Sequence, residues 1–148
     1  LSNWSVGVAD NRRLPVEDQI ADVALAGWTF CLLAVWQQET WRAEIGQALA
    51  QMKRVLRPGG TAIILESLGT GQETPQPPRE ELAVYYAWLE EEHGFSSAWI
   101  RTDFQFASLA EGESLMRFFF GEGLAEKVVK ENLAIVPECT GIWWLRIE

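Results

Sequence analysis

The sequence predicts an α/β fold, and two neighbouring segments carry that prediction. Residues 41–56 place apolar side chains at the spacing of an amphipathic helix, namely at Trp41, Ile45, Leu49, Met52 and Leu56. Residues 62–65 form a continuous apolar run, Ala-Ile-Ile-Leu, which is typical of a parallel strand that is covered on both faces. Between them, Pro58 ends the helix and Gly59-Gly60 permits a tight turn. A helix that turns sharply into a buried strand indicates a layered α/β sheet.

The remaining elements follow from the same periodicities. We predict strands at residues 5–9, 22–26, 61–66, 98–106 and 141–147, and helices at residues 41–56, 80–92 and 109–132. The last of these helices is expected to break near Gly121 and Gly123. Residues 69–79 contain two glycines and three prolines, which predicts an exposed loop within a single domain of residues 1–148.

Composition narrows the classes of function. The 148-residue chain has a net charge of −9, and nucleic-acid binders normally display a basic face, so no nucleic-acid partner is expected. No apolar run approaches the ~20 residues of a membrane-spanning helix, and no membrane partner is expected either. Cys31 and Cys139 are too few for a disulfide framework or a structural zinc site, so we expect buried, reduced thiols, a cytoplasmic location and no metal.

Two blocks of sequence resemble the class I S-adenosylmethionine-dependent methyltransferases. Arg54-Val55-Leu56-Arg57-Pro58-Gly59-Gly60 is similar to the R-V-L-R/K-P-G-G segment that leads into the fifth strand of that family. Residues 8–27 resemble its D-A-x-x-L-P-F-x-D…F-D-x-V segment, from the end of the third strand through the fourth. This chain departs from the pattern at Val16, where the family often has Phe, and at Ala21 and Ala24, which flank Asp22.

The resemblance implies a Rossmann-like methyltransferase sheet whose last strand is antiparallel and lies between the fifth and sixth strands. It also implies a glycine-rich cofactor loop after the first strand, and this chain has no segment that matches it. Gly69-Thr70-Gly71 and Gly121-Glu122-Gly123 follow the wrong elements, and we interpret both as turns. The expectation is therefore a sheet truncated before the third strand, from the C-terminal portion of a longer protein.

The same resemblance indicates four cofactor-binding residues. Asp10 matches the carboxylate that accepts a hydrogen bond from the adenine amino group, and Asn11 matches the residue whose backbone N–H meets the adenine ring. Gly27 and Trp28 end the fourth strand, where family members line the methyl-transfer site. The alternatives are that Asp10 caps its own turn and that Trp28 belongs to the core.

Three residues are weaker candidates for contact with the methyl acceptor. Glu66 lies at the carboxyl end of the fifth strand, and Tyr85 and Tyr86 follow the proline-rich loop on a helix, where packing is the alternative role. No catalytic residue is assigned. His93 is not taken as a base, because it lies in the last turn of a helix, where a charged imidazole complements the helix dipole.

The resulting expectation is a methyltransferase that acts on a small-molecule acceptor in its full-length form. This chain alone is expected to bind S-adenosylmethionine weakly or not at all and to have little or no activity. It is also expected to form a homo-oligomer, or to take the missing strands from a partner chain. The alternative is a non-catalytic scaffold or interaction protein. A dehydrogenase half-domain is disfavoured because no dinucleotide fingerprint is present.

Overall fold

The computed structural model describes residues 3–148, which form a mixed α/β chain of six strands and five helices. Along the chain these are β1 (Ala21–Gly27), α1 (Phe30–Trp36), α2 (Trp41–Val55), β2 (Leu56–Thr70), α3 (Glu80–Glu91), β3 (Ser96–Arg101), β4 (Phe104–Gln105), α4 (Leu109–Phe120), α5 (Glu122–Lys130), β5 (Ile135–Val136) and β6 (Glu138–Arg146). Strands β4 and β5 form a small antiparallel pair, and the other four form one sheet.

The larger sheet has the hydrogen-bonded order β1-β2-β6-β3. Strands β1 and β2 are parallel, with Val23 opposite Thr61 and Gly27 opposite Leu65, as predicted for the two strands joined through α2. Strand β6 runs antiparallel to β2, because Gly59 N–H donates to the Ile147 carbonyl while Gly71 N–H donates to the Pro137 carbonyl. The last strand therefore lies between the predicted fifth and sixth strands, which confirms the expected order.

The Pro-Gly-Gly turn is an insertion within β2. Ala21 is opposite Leu56 but Val23 is opposite Thr61, so the β2 side of the pair contains extra residues at this point. Gly59 has φ +80°, which glycine adopts without strain. A Cβ on Gly60 would lie 2.9 Å from the Arg57 carbonyl and 3.1 Å from the Asp22 carbonyl, so the backbones approach too closely for a side chain.

The chain divides into two compact units. The first contains residues 3–65, 81–96 and 143–148, and its core includes the predicted apolar face of α2, with Ile45 and Leu49 almost fully buried. The second contains residues 66–80 and 97–142. Its core is a cluster of Met116, Val128 and Val136, against which Phe104, Phe106, Leu109, Leu124 and Leu133 pack.

Two predicted elements differ from the structure. Residues 5–9 were predicted to be a strand, which is wrong: they form no strand, and Val6 and Val8 are 82% and 103% exposed. The reason is that β1 is the edge of the sheet, so no described strand lies beside this segment to pair with it.

The strand predicted over residues 98–106 is two strands, β3 and β4. The chain breaks at Thr102 and Asp103. Thr102 N–H still donates to the Glu138 carbonyl, but the Glu138 N–H donates to the Asp103 side chain, at Oδ1, and not to a backbone carbonyl. The helix predicted over residues 109–132 breaks at Gly121, which has φ +88°. Helix α1 and strand β5 were not predicted.

Candidate functional site

A tight turn presents Asp10 and Asn11. Arg13 N–H donates to the Asp10 carbonyl at 2.8 Å, and Asp10 Oδ1 accepts from Arg12 N–H at 2.8 Å, so Asp10 caps its own turn. The Arg12 guanidinium also donates to both Asp10 carboxylate oxygens. These bonds lower the pKa of the Asp10 carboxyl to about 2, so it is ionised and accepts hydrogen bonds only.

Helix α2 holds this turn and the residues that follow it. Arg12 forms a second ion pair with Glu44 in the first turn of α2. Near the other end of α2, Arg54 donates to the carbonyls of Leu14 and Val16 and pairs with Asp18 at 2.5 Å. The loop between the turn and β1 is thus bonded to the helix at both ends.

The carboxyl end of β1 forms the second part of the site. Trp28 N–H donates to the Leu65 carbonyl at 2.8 Å, which continues the pairing with β2 one residue beyond the strand. Trp28 has φ +49° and its side chain is 49% exposed. The Thr29 hydroxyl donates to the Gly27 carbonyl at 2.9 Å, and α1 begins at the next residue. The chain therefore turns sharply where the strand ends.

A cavity of about 330 Å³, which we name the β1 cavity, lies between these parts of the first unit. Asn11 and Gly27 both line it, so the structure brings these two predicted residues together. Its other walls are Leu14 and Val16, the β1 residues Ala21 and Val23–Ala26, Thr29 and Phe30, and Ala48, Met52 and Val55 of α2. Asn11 and Thr29 are the only polar side chains among them. Asp10 and Trp28 adjoin lining residues in sequence but do not themselves line the cavity.

The three predicted acceptor contacts lie elsewhere. Glu66 is fully buried within β2. Tyr85 and Tyr86 are buried on α3 among aromatic rings: Tyr85 packs edge-on against Trp41 at 5.9 Å, and Tyr86 stacks on Trp143 at 4.4 Å between ring centroids. None of the three lines the β1 cavity, and both tyrosines pack in the core of the first unit.

A larger cavity of about 410 Å³, the loop cavity, lies in the second unit. Residues between Ser67 and Pro78 line most of it, together with Phe120 and Leu124. The side chains of Ser67 and Thr70 hydrogen-bond the buried carboxyl group of Glu138, and burial raises the pKa of that group. Sequence reasoning missed Ser67, Thr70 and Glu138. The one available signal was the glycine- and proline-rich loop directly after a buried strand.

The potentially reactive side chains of His93 and Cys139 lie in packed surroundings. The His93 ring lies edge-on to Trp88 with centroids 4.1 Å apart, and burial followed by the charge of Lys53 lowers its pKa. The Cys139 thiol is buried, which raises its pKa. Within residues 3–148, no group of three or more His, Cys, Asp or Glu side chains is arranged to hold a metal ion. No helix in that range combines the length and apolar character needed to cross a bilayer.

Comparisons with known proteins show what the sequence and the fold are similar to. Residues 2–64 match the family model of a methyltransferase domain, and that segment carries the Asp10 turn, β1, α2 and the first part of β2. No curated protein sequence matches the chain.

Solved structures similar to the chain include a SAM-dependent methyltransferase from Aquifex aeolicus. Its sequence is 17% identical to this chain and the TM-score is 0.50. The match covers 100% of this chain and 57% of the Aquifex chain. A provisionally assigned methyltransferase from Bacillus halodurans C-125 is 14% identical, with a TM-score of 0.45 and coverage of 93% and 69%. The chain thus spans little more than half the length of the Aquifex enzyme. The resemblance to the class I S-adenosylmethionine-dependent methyltransferases is confirmed: residues 2–64 carry the methyltransferase-domain sequence and the chain has the fold of these enzymes.

Proposed function

We propose that this chain is the part of an S-adenosylmethionine-dependent methyltransferase that holds the adenine end of the cofactor, and that the whole enzyme methylates a small molecule. The observation that carries the proposal is the β1 cavity, because Asn11 and Gly27 line the same cavity, which runs along β1 from Ala21 to the carboxyl end of the strand at Gly27. Carboxyl ends of parallel strands are where ligands of α/β sheets bind.

The walls of the β1 cavity suit a flat ring with polar edges. Its surface is apolar apart from Asn11 and Thr29, which matches the faces of a purine, and the Asn11 amide can meet a ring edge. The half-exposed ring of Trp28, which follows Gly27 but does not line the cavity, would offer a second flat surface next to it.

Asp10 supplies the acceptor for an exocyclic amine. Its hydrogen bonds to Arg12 place two donors on Oδ1 and one on Oδ2, and a carboxylate oxygen has two lone pairs, so Oδ2 can accept from an amine as well. Because the carboxyl pKa is about 2, it remains an acceptor at any physiological pH. Arg12 fixes the carboxylate, so little ordering is required on binding.

The bound cofactor would supply a sulfonium methyl group, whose transfer depends mainly on positioning because the leaving group is already activated. Accordingly, no catalytic base is assigned in this chain. Glu66, Tyr85 and Tyr86 stay predictions as acceptor contacts. The methionine end of the cofactor has no matching glycine loop here, so we propose that the isolated chain binds S-adenosylhomocysteine far more weakly than the micromolar range.

Titration of the ¹⁵N-labelled chain with S-adenosylhomocysteine tests this proposal. We expect the amide resonances of Asp10, Asn11, Gly27 and Trp28 to shift, with a Kd on the order of 1 mM. Asp10→Asn replaces an ionised acceptor and should weaken binding roughly tenfold, the value of one hydrogen bond to a charged group.

Asp18→Asn is the matched control, because it also removes a carboxylate that pairs with an arginine but lies on the loop leading to β1. It should leave the Kd unchanged. The proposal is wrong if saturating ligand shifts none of the four resonances, or if Asp10→Asn and Asp18→Asn weaken binding equally. Micromolar binding by the isolated chain would contradict the expected weakness.

A further inference from the structure

We propose that the loop cavity is a second binding site, for a small uncharged molecule that carries hydroxyl or amide donors, and that Glu138 positions the hydroxyls of Ser67 and Thr70 to receive them. The inference concerns the second unit alone and does not depend on the cofactor proposal.

The lining of the loop cavity defines the class of ligand. Ser67, Thr70, Gln72 and Gln76 offer hydroxyl and amide groups, while prolines, Phe120 and Leu124 supply apolar surface. No charged side chain lines it. A charged ligand would lose its hydration without gaining an opposite charge, whereas a neutral molecule with an apolar ring and polar substituents finds both kinds of contact. The volume of about 410 Å³ lies within the usual range for small-molecule sites.

Glu138 determines which way the hydroxyl protons of Ser67 and Thr70 point. Glu138 is 3% exposed, and its carboxyl group accepts hydrogen bonds from the side chains of Thr70 and Ser67, both of which line the cavity. A hydroxyl that donates its only proton to a carboxylate presents lone pairs on its other side. Ser67 and Thr70 therefore act as acceptors toward the cavity, so ligand donors are favoured there.

A second observation concerns the carboxyl group of Glu138, which lies behind the two hydroxyls and does not itself line the cavity. Glu138 Oε2 is buried and, within residues 3–148, has no hydrogen-bond partner. A buried carboxylate oxygen without a partner is costly, and such groups in native proteins call for a functional explanation. Retaining Glu138 is understandable if its role is to polarise the two hydroxyls for a ligand.

The surrounding segment is fixed in place. Gly71 N–H donates to the Pro137 carbonyl at 2.7 Å, and Lys127 Nζ donates to the Gly71 carbonyl at 2.7 Å. Next to Glu138, Cys139 Sγ donates to the Gln72 carbonyl. On the far side of Glu138, Asp103 accepts from its N–H. These bonds connect the loop, α5 and the start of β6, so the cavity is largely formed before a ligand arrives.

The test uses three probes: 4-hydroxybenzamide, its fully methylated analogue 4-methoxy-N,N-dimethylbenzamide, and 4-hydroxybenzoate. Titration of the ¹⁵N-labelled chain should show 4-hydroxybenzamide shifting the amides that line the loop cavity. We expect it to bind at least about tenfold more tightly than the methylated analogue, which lacks donors, and than the charged benzoate.

Thr70→Val and Ser67→Ala should each reduce that preference for donors to roughly threefold or less, because one acceptor is removed. Glu138→Gln should do the same by changing the direction of the hydroxyl protons. Thr74→Val is the matched control, since Thr74 is exposed on the same loop and does not line the cavity, and it should bind like the wild type.

The melting temperature and the ratio of probe affinities together distinguish a positioning role of Glu138 from a purely structural one. If Glu138 only stabilised the fold, Glu138→Gln would alter the melting temperature and leave the ratio of probe affinities unchanged, which would overturn the inference. Failure of 4-hydroxybenzamide to shift the lining amides, or equal affinity for the methylated analogue, would also overturn it. If Glu138→Gln does not fold, the ratios measured for Thr70→Val and Ser67→Ala decide.

Discussion

His93 illustrates how burial, more than any other factor, sets the pKa of a titratable residue. The imidazole packs edge-on to Trp88, and burial, followed by the positive charge of Lys53, lowers its pKa below 6.5. The unfolded state therefore binds more protons than the folded state as the pH falls. Stability linked to His93 is present above the unfolded pKa of about 6.5 and is lost as the pH falls from there through the lower folded pKa.

We predict that the free energy of unfolding of the wild type falls between about pH 7.5 and about pH 5.5 more steeply than that of His93→Gln, which cannot gain the proton. Urea unfolding of both proteins at the two pH values measures this. Parallel pH dependences for the two proteins would show that the His93 imidazole titrates alike in both states.

At the same scale, the sequence predicted only the part of the site that lies in local motifs. Asn11 and Gly27 line one cavity because a turn and a strand end, both recognisable in sequence, adjoin the same helix. The Asp10–Arg12 bond is also local, over two residues. Glu138 differs, since its partners Ser67 and Thr70 lie about seventy residues away along the chain. Nothing in the spacing of residues indicates that contact.

The turn between α2 and β2 is the element on which the sheet register depends. It inserts residues into β2 while Val23 and Thr61 remain paired. Gly60 lies where the turn passes close to Asp22 of β1, and a Cβ there would meet two backbone carbonyls within 3.1 Å. Backbone atoms cannot move aside as a flexible side chain can, so a methyl group must displace one strand.

We predict that Gly60→Ala destabilises the chain by about 1–3 kcal/mol, the usual cost of forcing extra atoms into a packed site. Gly46→Ala is the matched control, because Gly46 lies within α2 and a Cβ added there would meet no neighbouring atom within 4 Å. Alanine has the higher helix propensity, so this change should stabilise by roughly 0.5–1 kcal/mol. Equal and small effects from both substitutions in chemical unfolding would show that the close approach at Gly60 is unimportant.

Elements with strong local signals were predictable, and elements that depend on a neighbour were not. The apolar face of α2 and the run at residues 62–65 specify a helix and a buried strand by themselves, and both are present. The segment at residues 5–9 has strand-like alternation, but a strand requires a partner for its backbone, and β1 provides none within the described residues. Alternation also continues across residues 98–106, where the Asp103 side chain takes the Glu138 N–H and the backbone pairing stops.

On the scale of the whole chain, the most consequential feature is the open edge of β1. This strand is bonded on one side to β2 and is last in the sheet order. Val23 and Leu25 are 55% and 60% exposed. The segment at residues 3–9 carries three exposed apolar side chains at alternate positions, Trp4, Val6 and Val8. An apolar edge and an exposed segment with strand-like alternation in one chain favour pairing between copies.

We therefore predict that the chain forms a dimer at micromolar concentration, in which residues 3–9 of one copy add to the β1 edge of the other. The mainly polar segment from Asp10 to Gln19 is long enough to connect residues 3–9, paired with the other copy, to the rest of their own chain. Sedimentation equilibrium should give twice the monomer mass, and the melting temperature should rise with protein concentration, because association stabilises the folded state by mass action.

Placing a lysine on β1 tests whether the edge of this strand forms the dimer interface. Val23→Lys places an ammonium group on β1, where lysine is known to block edge pairing, and should weaken the dimer at least about tenfold. Val84→Lys is the matched control, because Val84 is similarly exposed at 45% but lies on α3. It should leave the dimer intact. A wild-type chain that sediments as a monomer, with a melting temperature independent of concentration, would show that the β1 edge stays unpaired in solution, and equal weakening by both lysines would place the interface elsewhere.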